Sequence, residues 1–166
     1  KFSIKNKILL IDCGCNYGFY SLYAASLSKK NLIFSIEASK KTSKEFLRNL
    51  ELNDFQNVIL ENFAISNIDN HEILFNESLN DWESSQTHND FKNYSTTKVN
   101  TLKIDTLVKK IDLSKYTPIL KLDIEGNEIN AIKGATNFIE ITSPLIIMEI
   151  SKFVFDNKEN IDYLKN

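Results

Sequence analysis

Ile8-Leu9-Leu10-Ile11-Asp12-Cys13-Gly14-Cys15-Asn16-Tyr17-Gly18 is the stretch on which the fold turns. Its first half is a short apolar run, Ile8–Cys13, which reads as a buried strand. Its second half carries two glycines, and Phe19–Lys29 beyond it has helical spacing, with Leu22, Tyr23 and Leu27 available to pack. Glycine weakens helices and strands but is useful where backbone turns sharply or lies against a ligand. The chain has only four glycines in 166 residues. The other two, Gly126 and Gly134, belong to Lys121-Leu122-Asp123-Ile124-Glu125-Gly126-Asn127-Glu128 and the Gly134-Ala135 that follows. A strand that ends in a glycine turn and opens a helix is where α/β folds bind small cofactors.

Outward from that stretch the pattern alternates. Leu32–Glu37 is a second strand. Thr42 with Glu45 makes a capping box for a helix whose apolar face is Phe46, Leu47 and Leu50. Val58–Leu60 begins a third strand, running toward Phe63, and Ile73–Phe75 is a shorter one. Residues 76–98 are rich in Asn, Ser, Thr and Asp, contain Trp82 and Ser84-Ser85, and read as a polar insertion on the substrate side. Val99–Ile104 returns as a strand and Asp105–Lys110 as a short helix. Pro118 precedes strand Ile119–Ile124, Asn127–Ile141 is one helix, and Pro144 precedes strand Leu145–Ile150. Alternation of this kind predicts a doubly wound, mostly parallel α/β sheet in a single domain spanning 1–166.

Composition narrows the function. The formal charge is −2, and Arg48 is the only arginine among the 20 basic residues. Nucleic-acid binders show a basic surplus and use arginine's bidentate fork, so DNA and RNA partners are not expected. No apolar run is long enough for a membrane span. Cys13 and Cys15 are too close for an easy disulfide and, with only His71 and His88 elsewhere, form no recognisable zinc set. They read as small, semi-buried residues in a reducing cytoplasm. The chain begins at Lys1, as a segment cut from a longer one would.

Four apolar strands end in acids: Asp12, Glu37, Asp123 with Glu125, and Glu149. The carboxyl ends of a parallel sheet line one edge, where the ligand crevice lies. Converging carboxylates repel, so a cationic ligand, a metal or hydroxyl donors should compensate them. Lys121 could do so, although a lysine in such a place more often extends outward.

Asp12-x-Gly14-x-Asn16-x-Gly18, Lys121-x-Asp123-x-Glu125-Gly126-x-Glu128 and Gly134-Ala135 together resemble the FkbM-type methyltransferases, which are Rossmann-like class I enzymes dependent on S-adenosylmethionine. The resemblance runs from about Ile8 to Ile150. It takes in the acid ending strand two, Asn49 and Asn53, Ala64 and Pro144 to Glu149. Cys15 stands where the family commonly has a smaller residue such as Ala. Methyltransferases of this class finish with a further helix and a β-hairpin; Ile161–Leu164 reads as the start of that helix, and the hairpin is expected to be lacking, which would make the domain a truncated one.

The resemblance implies a cofactor, S-adenosylmethionine, and a set of residues to bind it. Asp12 and Gly14 would let backbone approach its methionine part, with Asp12 facing the ammonium or ordering the loop. Gly18 would allow close packing or the helix entry, and Asn16 would bind the cofactor carboxylate or cap the next helix. Glu37, 23 residues after Gly14, has the spacing at which an acid binds ribose hydroxyls. Asn62, Phe63 and Ala64 would border the adenine, with Phe63 equally suited to the core. Asp123 and Glu125 are the expected catalytic pair, orienting the acceptor or taking its proton, a role worth about 10²–10⁴-fold. A divalent metal held by this pair and Glu149 is a possible variant, but no metal is expected.

The place after the fourth core strand is acidic and lacks aromatics, which favours an alcohol oxygen over a base amine as acceptor. The expected reaction is O-methylation of a hydroxyl on a sugar, glycan or related small molecule. Two alternatives remain: a cofactor-binding module without turnover, and a nicotinamide oxidoreductase, which the Gly14, Asn16, Gly18 spacing disfavours. Fold analogy does not separate them.

Overall fold

Successive residues of a buried strand face opposite layers, and β1 (Ile8–Cys13) shows this directly. Leu9, Ile11 and Cys13 face one layer, where they pack with Ala131, Ala135 and Phe138. Leu10 faces the other and packs with Ala24 and Ala25. The computed structural model describes residues 7–78, 94–150 and Tyr163. Trp82, Ser84-Ser85 and the expected absence of a terminal hairpin lie outside the described residues, as does all of the Ile161–Leu164 helix start except Tyr163.

The main sheet joins β1 to β2 (Leu32–Ile36), β3 (Val58–Glu61), β7 (Thr117–Leu122) and β8 (Leu145–Met148) in the order β3-β2-β1-β7-β8. Every pairing in it is parallel, so all five carboxyl ends lie on one edge. α1 (Phe19–Leu27) and α2 (Lys40–Asn53) cover one face; α3 (Ile104–Leu107), α4 (Glu128–Lys133) and α5 (Thr136–Thr142) cover the other. This is the doubly wound architecture that alternation predicts. β8 leaves Leu145, Ile146 and Ile147 exposed.

A second, three-stranded sheet stands beside the carboxyl edge, with β4 (Ala64–Ile65), β6 (Tyr94–Leu102) and β5 (Glu72–Ser78) in the order β4-β6-β5. β5 and β6 pair antiparallel from Glu72↔Asn100 to Ser78↔Tyr94. Residues 76–78 and 94–98, expected within the irregular polar insertion, are strand. Polar residues on the outer face of a ribbon resemble loop in a single sequence.

Local details differ from expectation for identifiable reasons. α1 buries Ser21, Ala24 and Ala25, while Tyr23 and Leu27 are exposed; small residues let the helix lie close to β1 and β2. The cap of α2 is Ser39, whose Oγ accepts from the Thr42 N–H at 3.1 Å. Glu45 instead pairs with Arg48, and Leu47 is exposed while Phe46 and Leu50 are buried. Thr117 and Pro118 are part of β7, near the strand start where proline is tolerated. The single helix expected over Asn127–Ile141 is two, parted at Gly134-Ala135.

Candidate active site

At the end of β1 the chain turns beneath the end of β7. Gly14 has φ +71°, and a Cβ there would lie 1.8 Å from the Asp123 carbonyl oxygen. Both the dihedral and the close approach restrict the position to glycine. The Gly14 and Cys15 N–H groups both donate to the Ile36 carbonyl, tying the turn to β2. Gly18 lies against the Phe46 ring, 1.9 Å from where a Cβ would stand. Cys13 and Cys15 are free and buried, and burial is the main reason their thiols are pushed up.

A polar row crosses the middle of the sheet on the α1 side. Asp12 is in register with Ser35 of β2 and Lys121 of β7. Its Oδ2 accepts from Ser21 Oγ at 2.7 Å, and Ser35 Oγ donates to Ser21 at 2.7 Å. Lys121 Nζ lies 3.2 Å from Asp12 Oδ1 and 3.3 Å from Asp123 Oδ2, and donates to the Gly14 carbonyl at 3.3 Å. Burial works against the ammonium charge, but Asp12 and Asp123 outweigh it and hold the lysine above its usual range. Lys121 is thus buried, not directed outward, and supplies the positive charge that the converging acids require. Asp12 lies beneath the crevice with its carboxylate engaged inside the protein.

Glu37 follows β2 and is buried. Its Oε2 accepts from the Asn16 N–H at 3.0 Å and its Oε1 from the Ser39 N–H at 2.9 Å. Burial raises its carboxyl and these two N–H groups lower it, the balance lying above the ordinary value. The contact from Asn16 crosses from the first turn to the second strand, so Glu37 braces the glycine turn while facing the cavity. Asn62 turns away: its Nδ2 donates to the Glu37 and Ala38 carbonyls at 2.7 and 2.9 Å and so holds the chain after β2 in place.

These elements enclose a cavity of about 880 Å³, counting its open mouth. Gly14, Asn16, Glu37, Phe63, Ala64, Asp123 and Glu125 line it, seven of the ten positions expected to form the site. Asp12, Gly18 and Asn62 stand behind the lining as supports. Sequence reasoning missed Thr42, Phe75 and Asn127, which also line it. Phe75 falls in an expected strand, but only the pairing of β5 with β6 in the second sheet brings it to the cavity. Asn127 falls in the second glycine motif, and its Nδ2 reaches the Ile65 carbonyl at 2.7 Å.

The acids of the β7 and β8 ends converge at one side. Oxygens of Asp123, Glu125 and Glu149 all lie within 4.8 Å of one another. Glu125 reaches this position at φ +55°, in a turn whose Ile124 and Gly126 N–H groups donate to buried Glu128. A hydrogen bond with Asp123, then burial, then the charges of Asp123, Glu125 and Glu128 push the Glu149 carboxyl up to about 7. The three can share a proton or hold a hard divalent cation.

Two solved structures share this fold. Precorrin-6y C5,15-methyltransferase from Geobacter metallireducens GS-15 is 10% identical with a TM-score of 0.55, the match covering 99% of this chain and 64% of that one. A protein described as an rRNA methylase, from Clostridium thermocellum, is 14% identical with a TM-score of 0.51, covering 98% and 73%. No curated protein sequence matches the chain. The chain shares their Rossmann-like α/β fold. The chain belongs to the methyltransferase FkbM domain family, whose model matches residues 12–166.

The cavity suits the cofactor that this family implies. S-adenosylmethionine presents an ammonium and ribose hydroxyls as donors, and the wall offers Glu37 and the Asn16 Oδ1, a buried oxygen without a hydrogen-bond partner. Ile36, Ala38, Phe63, Ala64, Ile65 and Phe75 give the apolar surface a purine requires. Among the described residues, no helix is long and apolar enough to cross a membrane.

Proposed function

We propose that this chain is an O-methyltransferase, and that its acceptor is a hydroxyl of a sugar, glycan or related small molecule. The observation that carries this reading is the carboxylate group at the mouth of the cavity, where Glu149 and Asp123 share a hydrogen bond and Glu149 is held up to about 7. S-adenosylmethionine supplies an electrophilic methyl group when bound. The protein has to place an acceptor oxygen in line and receive its proton. A carboxylate poised near neutrality is suited to that exchange. Lys121, bonded to Asp123 from below, fixes the orientation of the pair. The acidic, aromatic-free turn Asp123-Ile124-Glu125-Gly126 offers acceptors to hydroxyl groups and no platform on which a base could stack.

Labelled methyl transfer to a panel of sugar acceptors tests the reading. Product methylated at oxygen is expected, with Asp123→Asn slowed by about 10²–10⁴-fold while cofactor binding is retained. Product only from amines or nucleic acid would overturn it; cofactor binding without product from any acceptor would favour a binding module. The closeness of the three acids favours a second reading, in which they hold a divalent cation. Activity is expected to survive EDTA, and loss restored by Mg²⁺ would assign them to the cation.

A further inference from the structure

The pairing of β5 with β6 sets Ile73 opposite Val99, Phe75 opposite Thr97 and Glu77 opposite Ser95. Directly opposed residues of an antiparallel pair share a face. On this face Ile73, Phe75 and Val99 pack with Ala64 and Ala38, and Phe75 lines the cavity with Glu37, Phe63 and Ala64. This is therefore the side of the hairpin turned toward the cofactor cavity. Glu77 continues it two residues beyond Phe75 and is 9% exposed. Its Oε1 is buried without a hydrogen-bond partner, and so is Oγ1 of its diagonal neighbour Thr97. Glu77 is also close enough for its charge to act on Glu37, after the larger effects of burial and the two N–H groups there.

A buried carboxylate oxygen facing no donor is costly, and a donor brought by a ligand is one way in which that cost is offset. The carboxylates that line the cavity are Glu37, Asp123 and Glu125. Glu37 is bonded to the Asn16 and Ser39 N–H groups, and the other two belong to the end of β7. Glu77 stands outside that lining, two residues past Phe75 on the same strand face, and is the buried acceptor next along β5 from the apolar wall. A flat base seated on that wall carries donors at its edge, and adenine's is the exocyclic amine. The Thr97 hydroxyl can both donate and accept, which suits an edge where the amine adjoins a ring nitrogen.

We propose that Glu77, with Thr97 beside it, is a cofactor-binding residue that accepts hydrogen bonds from the exocyclic amine of the adenine. The assignment rests on S-adenosylmethionine being the cofactor, and it makes the β5–β6 hairpin the element that distinguishes adenosine from other nucleosides.

Calorimetric titration with S-adenosylhomocysteine, its analogue lacking the 6-amino group and its 2′-deoxy analogue tests this on wild type, Glu77→Ala, Glu77→Gln and Glu37→Ala. Removing the amine is expected to weaken wild-type binding by about tenfold or more. In Glu77→Ala the parent and the amine-free analogue should bind alike, while the 2′-deoxy penalty persists and is lost only in Glu37→Ala. A full amine penalty retained in Glu77→Ala overturns the proposal. Glu77→Gln preserves side-chain volume and gives the same reading at reduced amplitude should the alanine variant fold poorly. Wild type that binds none of the three ligands would overturn the cofactor reading itself, and this assignment with it.

Discussion

Lys121 lies between two carboxylates that would otherwise meet across the head of the sheet, with 7% of its side chain exposed and none of Asp12's. Removing one partner of a buried pair is far more damaging than the pair is stabilising, because the other charge is left without compensation. Lys121→Met should therefore destabilise the fold by about 3–5 kcal/mol in chemical denaturation. Adding Asp12→Asn should restore part of the loss, and equal stability of wild type and Lys121→Met would remove the pair from the framework. The sequence shows the lysine and the acids but not their meeting. Asp12 and Lys121 are 109 positions apart, and only parallel pairing of β1 with β7 sets them in register. Gly14 was more legible. A glycine after an apolar run and an acid already implies a turn, although the Asp123 carbonyl it accommodates could not be named from spacing.

The break between α4 and α5 shows the same division among elements. Apolar periodicity continues through Asn127–Ile141, so one helix is the natural expectation. Gly134, however, lies where a Cβ would stand 2.2 Å from the Ser66 carbonyl oxygen, and its own carbonyl accepts from the Asp105 N–H. Asp105 then caps the new helix, with Oδ1 accepting from the Phe138 N–H at 2.8 Å and Oδ2 from the Asn137 N–H at 3.2 Å. This cap comes from 33 residues upstream, beyond the reach of any local signature. Asp105→Ala should cost about 1–2 kcal/mol, the value of an N-terminal cap, measured by thermal or urea unfolding. A change below a few tenths would mean the break needs no cap. The β5–β6 hairpin was half legible: Ile73–Phe75 and Val99 mark its buried face, while its polar remainder reads as loop until pairing is known.

In the molecule as a whole, the acidic edge sets stability and chemistry against each other. Glu149 binds its proton more tightly folded, at about 7, than at its ordinary 4.5. The stabilising contribution is thus fully present below about 4.5 and is lost as pH rises through about 7. Melting temperature should fall across that window, with a shallow slope because Glu149 is exposed and water screens its neighbours. Asp123→Asn should flatten the slope, and a profile unchanged by that substitution would separate Glu149 from Asp123. Catalysis by a deprotonated carboxylate runs the other way, increasing over the same range. A functional edge that is strained by its own charges is a familiar trade between stability and activity.

What the sequence determined by itself was local and periodic. Apolar runs, glycine turns and strand-ending acids specify a doubly wound sheet with one acidic edge, because burial, backbone sterics and parallel crossovers leave few other arrangements. Tertiary structure alone decided which acids are used up inside the protein and which face the cavity. Asp12 is neutralised by Lys121, and Glu37 is braced by backbone N–H groups. Asp123, Glu125 and Glu149 are left together, and Glu77 lies on the same face of β5 as the cavity-lining Phe75. The contacts of Asp12, Glu37, Asp123, Glu125 and Glu149 depend on distances between residues far apart in the chain, and a charge's protonation and role follow from its neighbours in space.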